Sequence, residues 1–346
     1  MKVKVAIAGV GNCASVFVQG LKFYSGGEKT GLWHPLVAGL KPGDIQIVAA
    51  FDIDSRKVGS DLAESIFCEP NVAKKYVDVP PSGVIVGPGI SKGDTAPHLA
   101  GSKVVSSGRS AISRRIRDSG AEVTINLVSS GSEKSSEEYA LAALEAGSAF
   151  INCTPALLLQ RSSLKSAFAR AKVPILGDDL MSQFGGTVFH RGLLRFMTNR
   201  GVKISKSYQL DVGGGTETFN TIDESIRAAK RTVKTASVAR EVPYQFDTVT
   251  GTTDFVDYMG NDRTSYFWTE GRGFLGSGVS IDVYLRSSDG ANAGNILMDV
   301  VRATHKVARR GDSTHLNEIC AYGFKSPSQP MHLEEAYERF TSVFTT

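Results

Sequence analysis

Val3-Lys4-Val5-Ala6-Ile7-Ala8-Gly9-Val10-Gly11-Asn12-Cys13-Ala14 is the stretch whose reading decides the fold. Residues 3–8 form a short apolar run, which reads as a buried strand. Residues 15–24 carry helical spacing, so the glycines sit in a turn between a strand and a helix. In that context Gly9 allows the tight turn, and Gly11 lets a pyrophosphate approach the backbone. Ala14 lets helix and strand pack closely. N–H groups at the helix start, from Asn12 and Cys13, are placed for phosphate oxygens. A merely structural turn is the plain alternative.

Outward from that turn, the next strand candidate, 45–51, ends at Asp52. A carboxylate there can accept hydrogen bonds from both ribose hydroxyls, which favours NAD over NADP. The interval from the turn exceeds the usual ~20 residues, so an insertion occupies about 26–43. Further strands at 123–127, 149–152 and 173–176 alternate with helices at 135–146 and 164–171. This order predicts a parallel sheet with helices on its faces. The Pro- and Gly-rich residues 80–101 read as a surface excursion. Beyond residue 201, alternating segments at 203–212, 265–268 and 279–285 surround one helix at 223–236, which predicts a largely antiparallel sheet. A helix at 293–308 then returns to the first domain. The expected fold is α/β. A Rossmann-type NAD-binding domain spans 1–202, completed by about 290–346. A second α+β domain spans 203–289.

Composition narrows the function classes. The 346 residues are 41% hydrophobic and 21% charged, ordinary for a globular enzyme. Net charge is only +4, and the one basic cluster, Arg114, Arg115 and Arg117, is too small for a nucleic-acid surface. No apolar stretch is long enough to span a membrane. Cys13, Cys68, Cys153 and Cys320 are widely spaced without metal-ligand partners, as expected of reduced thiols in a cytoplasmic protein that holds no metal.

Two further clusters carry chemistry. Gly177-Asp178-Asp179-Leu180-Met181-Ser182-Gln183-Phe184-Gly185-Gly186-Thr187 follows a strand and opens a helix at 188–199. Two carboxylates leave the strand end, and the small residues offer a second anion site at a helix start. An acidic turn with a helix cap is the bland reading. Lys230 and Lys234, four apart on a helix, project from one face, as solvated lysines also can. Lys325 stands between Tyr322-Gly323-Phe324 and Ser326-Pro327, an unusual place for a lysine that only aids solubility.

Together these segments resemble the myo-inositol-phosphate synthase family, in its shorter prokaryotic type. Gln209-Leu210-Asp211-Val212-Gly213-Gly214, Glu270-Gly271-Arg272 and Asp289…Asn292 extend the resemblance over nearly the whole chain. It implies a cyclase with bound NAD: oxidation at C5 of a hexose 6-phosphate, loss of a C6 proton, aldol closure by the enolate, and return of the hydride. It implies that Lys230, Lys234 and Lys325 bind phosphate or stabilise oxyanions. Asp179 and Asp289 become active-site carboxylates, and Ser182, Gln183, Gly185, Gly186 and Thr187 a phosphate loop. Gly9, Gly11, Asn12, Cys13, Ala14, Asp52 and Asp178 fall to the cofactor. The family also pairs its second-domain sheets between subunits, which implies that residues 203–289 serve catalysis and oligomerisation and that the protein is a homotetramer.

Departures from the family pattern bear on the substrate. Met181 replaces a usual lysine, and Arg263 another. The family's Asn-x-Gly-Gly-Asn-x-Asp reads Asp211-Val212-Gly213-Gly214-Gly215-Thr216-Glu217. Arginine gives up no proton, and two amides are lost. The expected substrate is therefore either glucose 6-phosphate, closing a six-membered ring, or fructose 6-phosphate, closing a five-membered one. A dehydrogenase that releases NADH, and an inactive NAD-binding paralogue, are the alternatives.

Overall fold

In the computed structural model, which describes residues 2–311 and 313–345, β1 (Val3–Ala8) runs through the middle of a parallel sheet. Its companions are β2 (Ile45–Asp52), β3 (Gly87–Pro88), β4 (Val123–Asn126), β5 (Ala149–Asn152) and β6 (Ile175–Leu176), in the order β3-β2-β1-β4-β5-β6. Side chains alternate between the two faces of a strand. Val3, Val5 and Ile7 accordingly join Phe17, Ile296 and Val300 in one core, while Ala6 and Ala8 join Phe51, Tyr139 and Phe150 in the other. Both faces are covered, so every residue of β4 and β5 is buried, the polar Thr124, Asn126 and Asn152 included. Strand order reverses at β1, between β2 and β4. In open α/β sheets ligands bind at that switch point, beyond the carboxyl ends of the strands.

The second sheet contains β7 (Lys203–Gly213), β8 (Asp247–Phe255), β9 (Asp262–Arg272) and β10 (Gly278–Ser288), ordered β10-β9-β7-β8. Three of these strands pair antiparallel, but β8 lies parallel to β7. One face carries the helices Gly186–Asn199 and Glu224–Ala239, with Leu194, Met197, Ile204 and Val238 buried between. The opposite face presents Tyr208 against Tyr266 and Trp268, and then Tyr284, Leu210 and Val249, the last three exposed. The Asp289–Arg310 helix packs back against Asn12–Ser25 on the first sheet. Among the described residues, no helix is long and apolar enough to cross a membrane.

Residues 80–101 correct the sequence reading. They supply the edge strand β3, paired with Phe51 and Asp52, and bury Val86, Ile90, Ala96 and Leu99. Two paired residues leave no periodicity to read. Strand β8 carries no apolar alternation in the sequence, because its Thr-rich edge position calls for little. The segment 265–268 is the centre of a longer strand, β9.

Candidate active site

Two cavities meet beyond the carboxyl ends of β1 and β4, sharing Leu127, Val128 and Thr216. The smaller, about 60 Å³, is a groove walled by Gly9, Val10, Gly11, Asp52, Lys57, Asn71, Asp94 and His98. Its floor is the glycine turn. Gly9 has φ +92°, and a Cβ there would lie 2.7 Å from the Leu127 carbonyl carbon. Only glycine fits that approach of β1 to the segment after β4. A Cβ on Gly11 would meet nothing within 4 Å, so the fold leaves open space there. Asp52 braces the turn, accepting from Val10 N at 2.7 Å and Asp54 N at 2.9 Å. Ala14 lies buried behind the helix start. The Asn12 side chain accepts from Val72 N and Ala73 N, so it fixes a neighbouring loop while its residue lines the larger cavity.

That larger cavity, about 190 Å³, gathers residues from both sheets. Four cations enter its wall, each with a carboxylate: Lys230 with Glu217 at 2.7 Å, Lys234 with Asp211 at 2.7 Å, Arg263 with Asp289 at 3.0 Å, and Lys325 with Asp179 at 2.7 Å. The four pairs leave the wall neutral overall while concentrating donors in it. Tertiary pairing builds the last pair. The Asp179 carbonyl accepts from Lys325 N, the Gly323 carbonyl from Met181 N, and Leu180 bridges to Phe324. The helix Glu224–Ala239 starts at Asp223, which caps Ser225 and Ile226, and aims Lys234 at Asp211 of β7 and Lys230 at Glu217 just beyond that strand.

Burial and pairing set the protonation of these groups. Burial pushes the Asp211 carboxyl up, but Lys234, Arg263 and a bond from Gln209 outweigh it and hold it at about 2. Glu217 ends at about 2 by the same contest, with Lys230 and Ser130 opposing burial. Burial pulls the Lys234 ammonium below its usual value, helped by Arg263 and Lys325 and opposed by Asp211. Cys13 and Cys153 also line the wall, and burial drives both thiols up, Cys13 to about 12, so neither is a thiolate nucleophile.

Ser182, Gly185, Gly186 and Thr187 line the cavity at the start of the Gly186–Asn199 helix. A Cβ on Gly186 would come within 2.3 Å of Gln209 Nε2, so glycine lets this helix start close onto β7. Three predicted residues stand elsewhere. Asp178 is buried, accepting from Asn152 Nδ2 and Leu159 N, and burial lifts its carboxyl to about 7. It supports the strand end and contacts neither cavity wall. Met181 is buried with its sulfur 3.3 Å from Arg191 Nη1, so its side chain leaves the cavity. Gln183 accepts from Asn295 Nδ2 and fixes the loop at Gly31.

The structure adds residues that the sequence reading did not single out. Asn261 lines the cavity with a buried Nδ2 that has no partner among the described residues. Ser130 donates to Glu217 from its N–H and its hydroxyl. Gly290 makes room for Asn261: a Cβ there would strike its Nδ2 at 2.5 Å.

The chain is similar to known proteins along most of its length. A family model described as myo-inositol-1-phosphate synthase matches residues 185–290. The inositol-3-phosphate synthase of Corynebacterium glutamicum is 32% identical over 350 residues, 97% of this chain and 96% of that one. That of Mycobacterium tuberculosis is 32% identical over 338 residues, 95% and 92% of the two chains. Among solved structures, Ari2 aligns with TM-score 0.79 and 29% identity over 99% of each chain. Inositol-3-phosphate synthase from Caenorhabditis elegans aligns with TM-score 0.81 over 98% of this chain and 84% of that one; at 16% identity it speaks for the fold alone. On this similarity along its whole length, the chain belongs to the inositol-phosphate synthase family and is an enzyme of the isomerase-type sugar-phosphate cyclase class.

Proposed function

We propose that the enzyme closes a carbocycle from a hexose 6-phosphate with bound NAD, and that fructose 6-phosphate is preferred to glucose 6-phosphate. One observation carries the reading: four cation–carboxylate pairs and an anion-binding helix start converge on a cavity that adjoins the glycine turn. The groove suits a dinucleotide, because the space over Gly11 is open beside the start of the Asn12–Ser25 helix. Gly9, Gly11 and the N–H groups of Asn12 and Cys13 would hold the pyrophosphate, and Asp52 the ribose. NAD, when bound, supplies removal of a hydride from C5 and its return, so the sugar undergoes no net redox change.

The chain's own residues account for the remaining steps. Backbone N–H groups at Gly186 and Thr187, with the Ser182 hydroxyl, receive the phosphate. Lys325 and Lys234 face oxygens where negative charge develops during enolisation and carbon–carbon bond formation. Lys234, its ammonium lowered by burial, gives a proton more readily than an exposed lysine would. The fructose preference rests on the carboxylates. Asp211 takes one donor of Lys234, and Glu217 takes Lys230 through both its side chain and its carbonyl. An asparagine at 211 and a shorter aspartate at 217, as the family pattern has them, would leave those ammonium groups freer. The electrophile's place is thus remodelled, which suits a C2 ketone attacked by C6 in place of a C1 aldehyde.

Incubation with NAD and each hexose phosphate, with products read by carbon NMR, tests this. Fructose 6-phosphate should give a new C2–C6 bond without net NADH, and glucose 6-phosphate should turn over at least about tenfold more slowly, the cost of one charged hydrogen bond. Efficient conversion of glucose 6-phosphate alone would return the enzyme to inositol phosphate, and accumulating NADH would make it a dehydrogenase.

We also propose a homotetramer whose second sheets pair across subunits. The open face with Tyr208, Leu210, Trp268 and Tyr284 is an apolar patch of the kind that marks contact surfaces. Light scattering at micromolar concentration should report an oligomer; a monomer alone would defeat this.

A further inference from the structure

We propose that Lys57 is a positioning residue for the dinucleotide: it fixes the glycine turn through the Val10 carbonyl and supplies the positive charge of the cofactor groove. The inference rests on the dinucleotide reading above. Lys57 lies between β2 and β3, outside every motif in the sequence, yet only 4% of it is exposed. A buried ammonium is expensive unless it is paired. Here no carboxylate pairs with it among the described residues. Its Nζ donates to Val10 O at 2.8 Å and Asn71 Oδ1 at 2.9 Å. An ammonium has three donors, so two are committed and one remains, on a residue that lines the groove.

The contacts converge on one residue, Val10, and so on the two peptide units that flank it. Val10 N–H is held by Asp52 at 2.7 Å, and the Val10 carbonyl accepts from both Lys57 and Asn71 Nδ2, the latter at 3.0 Å. Gly9 N adds a bond to Phe51 O. The residue between the two glycines is thereby clamped at both of its polar groups. That orients the peptide leading into Gly11, where open space waits for a ligand.

Charge points the same way. The groove's other ionisable members are Asp52, Asp94, His98 and Tyr139, the last with its phenol pushed up by burial. Asp94 is tied to Ser135, and burial lowers the His98 pKa, which favours its neutral ring. Lys57 is then the cation in a wall that otherwise carries two carboxylates. An anionic diphosphate entering this groove gains from that charge, and an uncharged nucleoside does not.

The test is calorimetric titration of the full-length protein with NAD, ADP and adenosine, beside thermal unfolding. Lys57→Met keeps the stem and removes the ammonium. It should weaken NAD and ADP by about tenfold or more, the expected loss of a charged hydrogen bond, and leave adenosine within about twofold of wild type. Unchanged NAD and ADP affinity in folded Lys57→Met would overturn the proposal, as would an equal loss for adenosine. If that variant does not fold, Asn71→Ala decides: it keeps the charge and loosens the clamp. NAD should then weaken several-fold, and undiminished affinity would refute the clamp. Wild-type protein that binds neither NAD nor ADP would instead bring down the dinucleotide reading itself.

Discussion

Replacing Lys234 with alanine will lower turnover about 100-fold or more, because it removes a preorganised cation from the wall where oxyanions develop. The structure separates this effect from mere destabilisation. Lys234 is buried with its ammonium 2.7 Å from Asp211, a carboxylate 1% exposed and held also by Ser265 and Gln209. Truncating one partner strands the other, a loss of about 3–5 kcal/mol in stability. The variant should therefore melt earlier as well as react more slowly. Adding Asp211→Asn to Lys234→Ala removes the stranded charge, so most of the melting temperature should return while turnover does not. Lys325→Ala should lose a similar factor in turnover, since its pairing with Asp179 places it in the same wall. Steady-state rates and thermal denaturation of the variants check both parts. Wild-type turnover in Lys234→Ala and Lys325→Ala would mean that neither lysine meets the reacting sugar.

Gly11→Val will abolish NAD binding in a protein that remains folded, whereas Gly9→Val will not give a stable fold. The two glycines are separated by one residue and have opposite surroundings. At Gly9 a side chain meets the Leu127 carbonyl at 2.7 Å in a backbone of φ +92°, so the clash lies inside the sheet's own framework. A Cβ at Gly11 would meet nothing within 4 Å beyond its chain neighbours, and the helix capped there keeps its Ser15 N–H to Gly11 O bond whatever the side chain. What valine would fill is the approach to the first N–H groups of the Asn12–Ser25 helix. Circular dichroism and NAD titration of both variants distinguish the outcomes. Full NAD affinity in Gly11→Val would remove the dinucleotide from this turn.

By itself, the sequence determined the elements whose signals are local. The strand–glycine–helix unit at 3–25, the buried strands β4 and β5, and the pairing of Lys230 with Lys234 on one helix face follow from spacing alone, because each physical cause acts within a few residues. Tertiary structure decided what depends on distant chain segments. Asp179 and Lys325 are 146 residues apart, and only the pairing of 179–181 with 323–325 joins them. Asp178 and Asp179 are indistinguishable in a sequence, yet the backbone sends one carboxylate inward to Asn152 and Leu159 and the other into the cavity. Met181 likewise leaves the wall for Arg191. Lys57 carries no motif at all; its meaning comes from burial beside the Val10 carbonyl. Local periodicity sets which face of an element is apolar, but a charged group's role depends on what packing brings within hydrogen-bond reach of it, and at what cost in lost solvent.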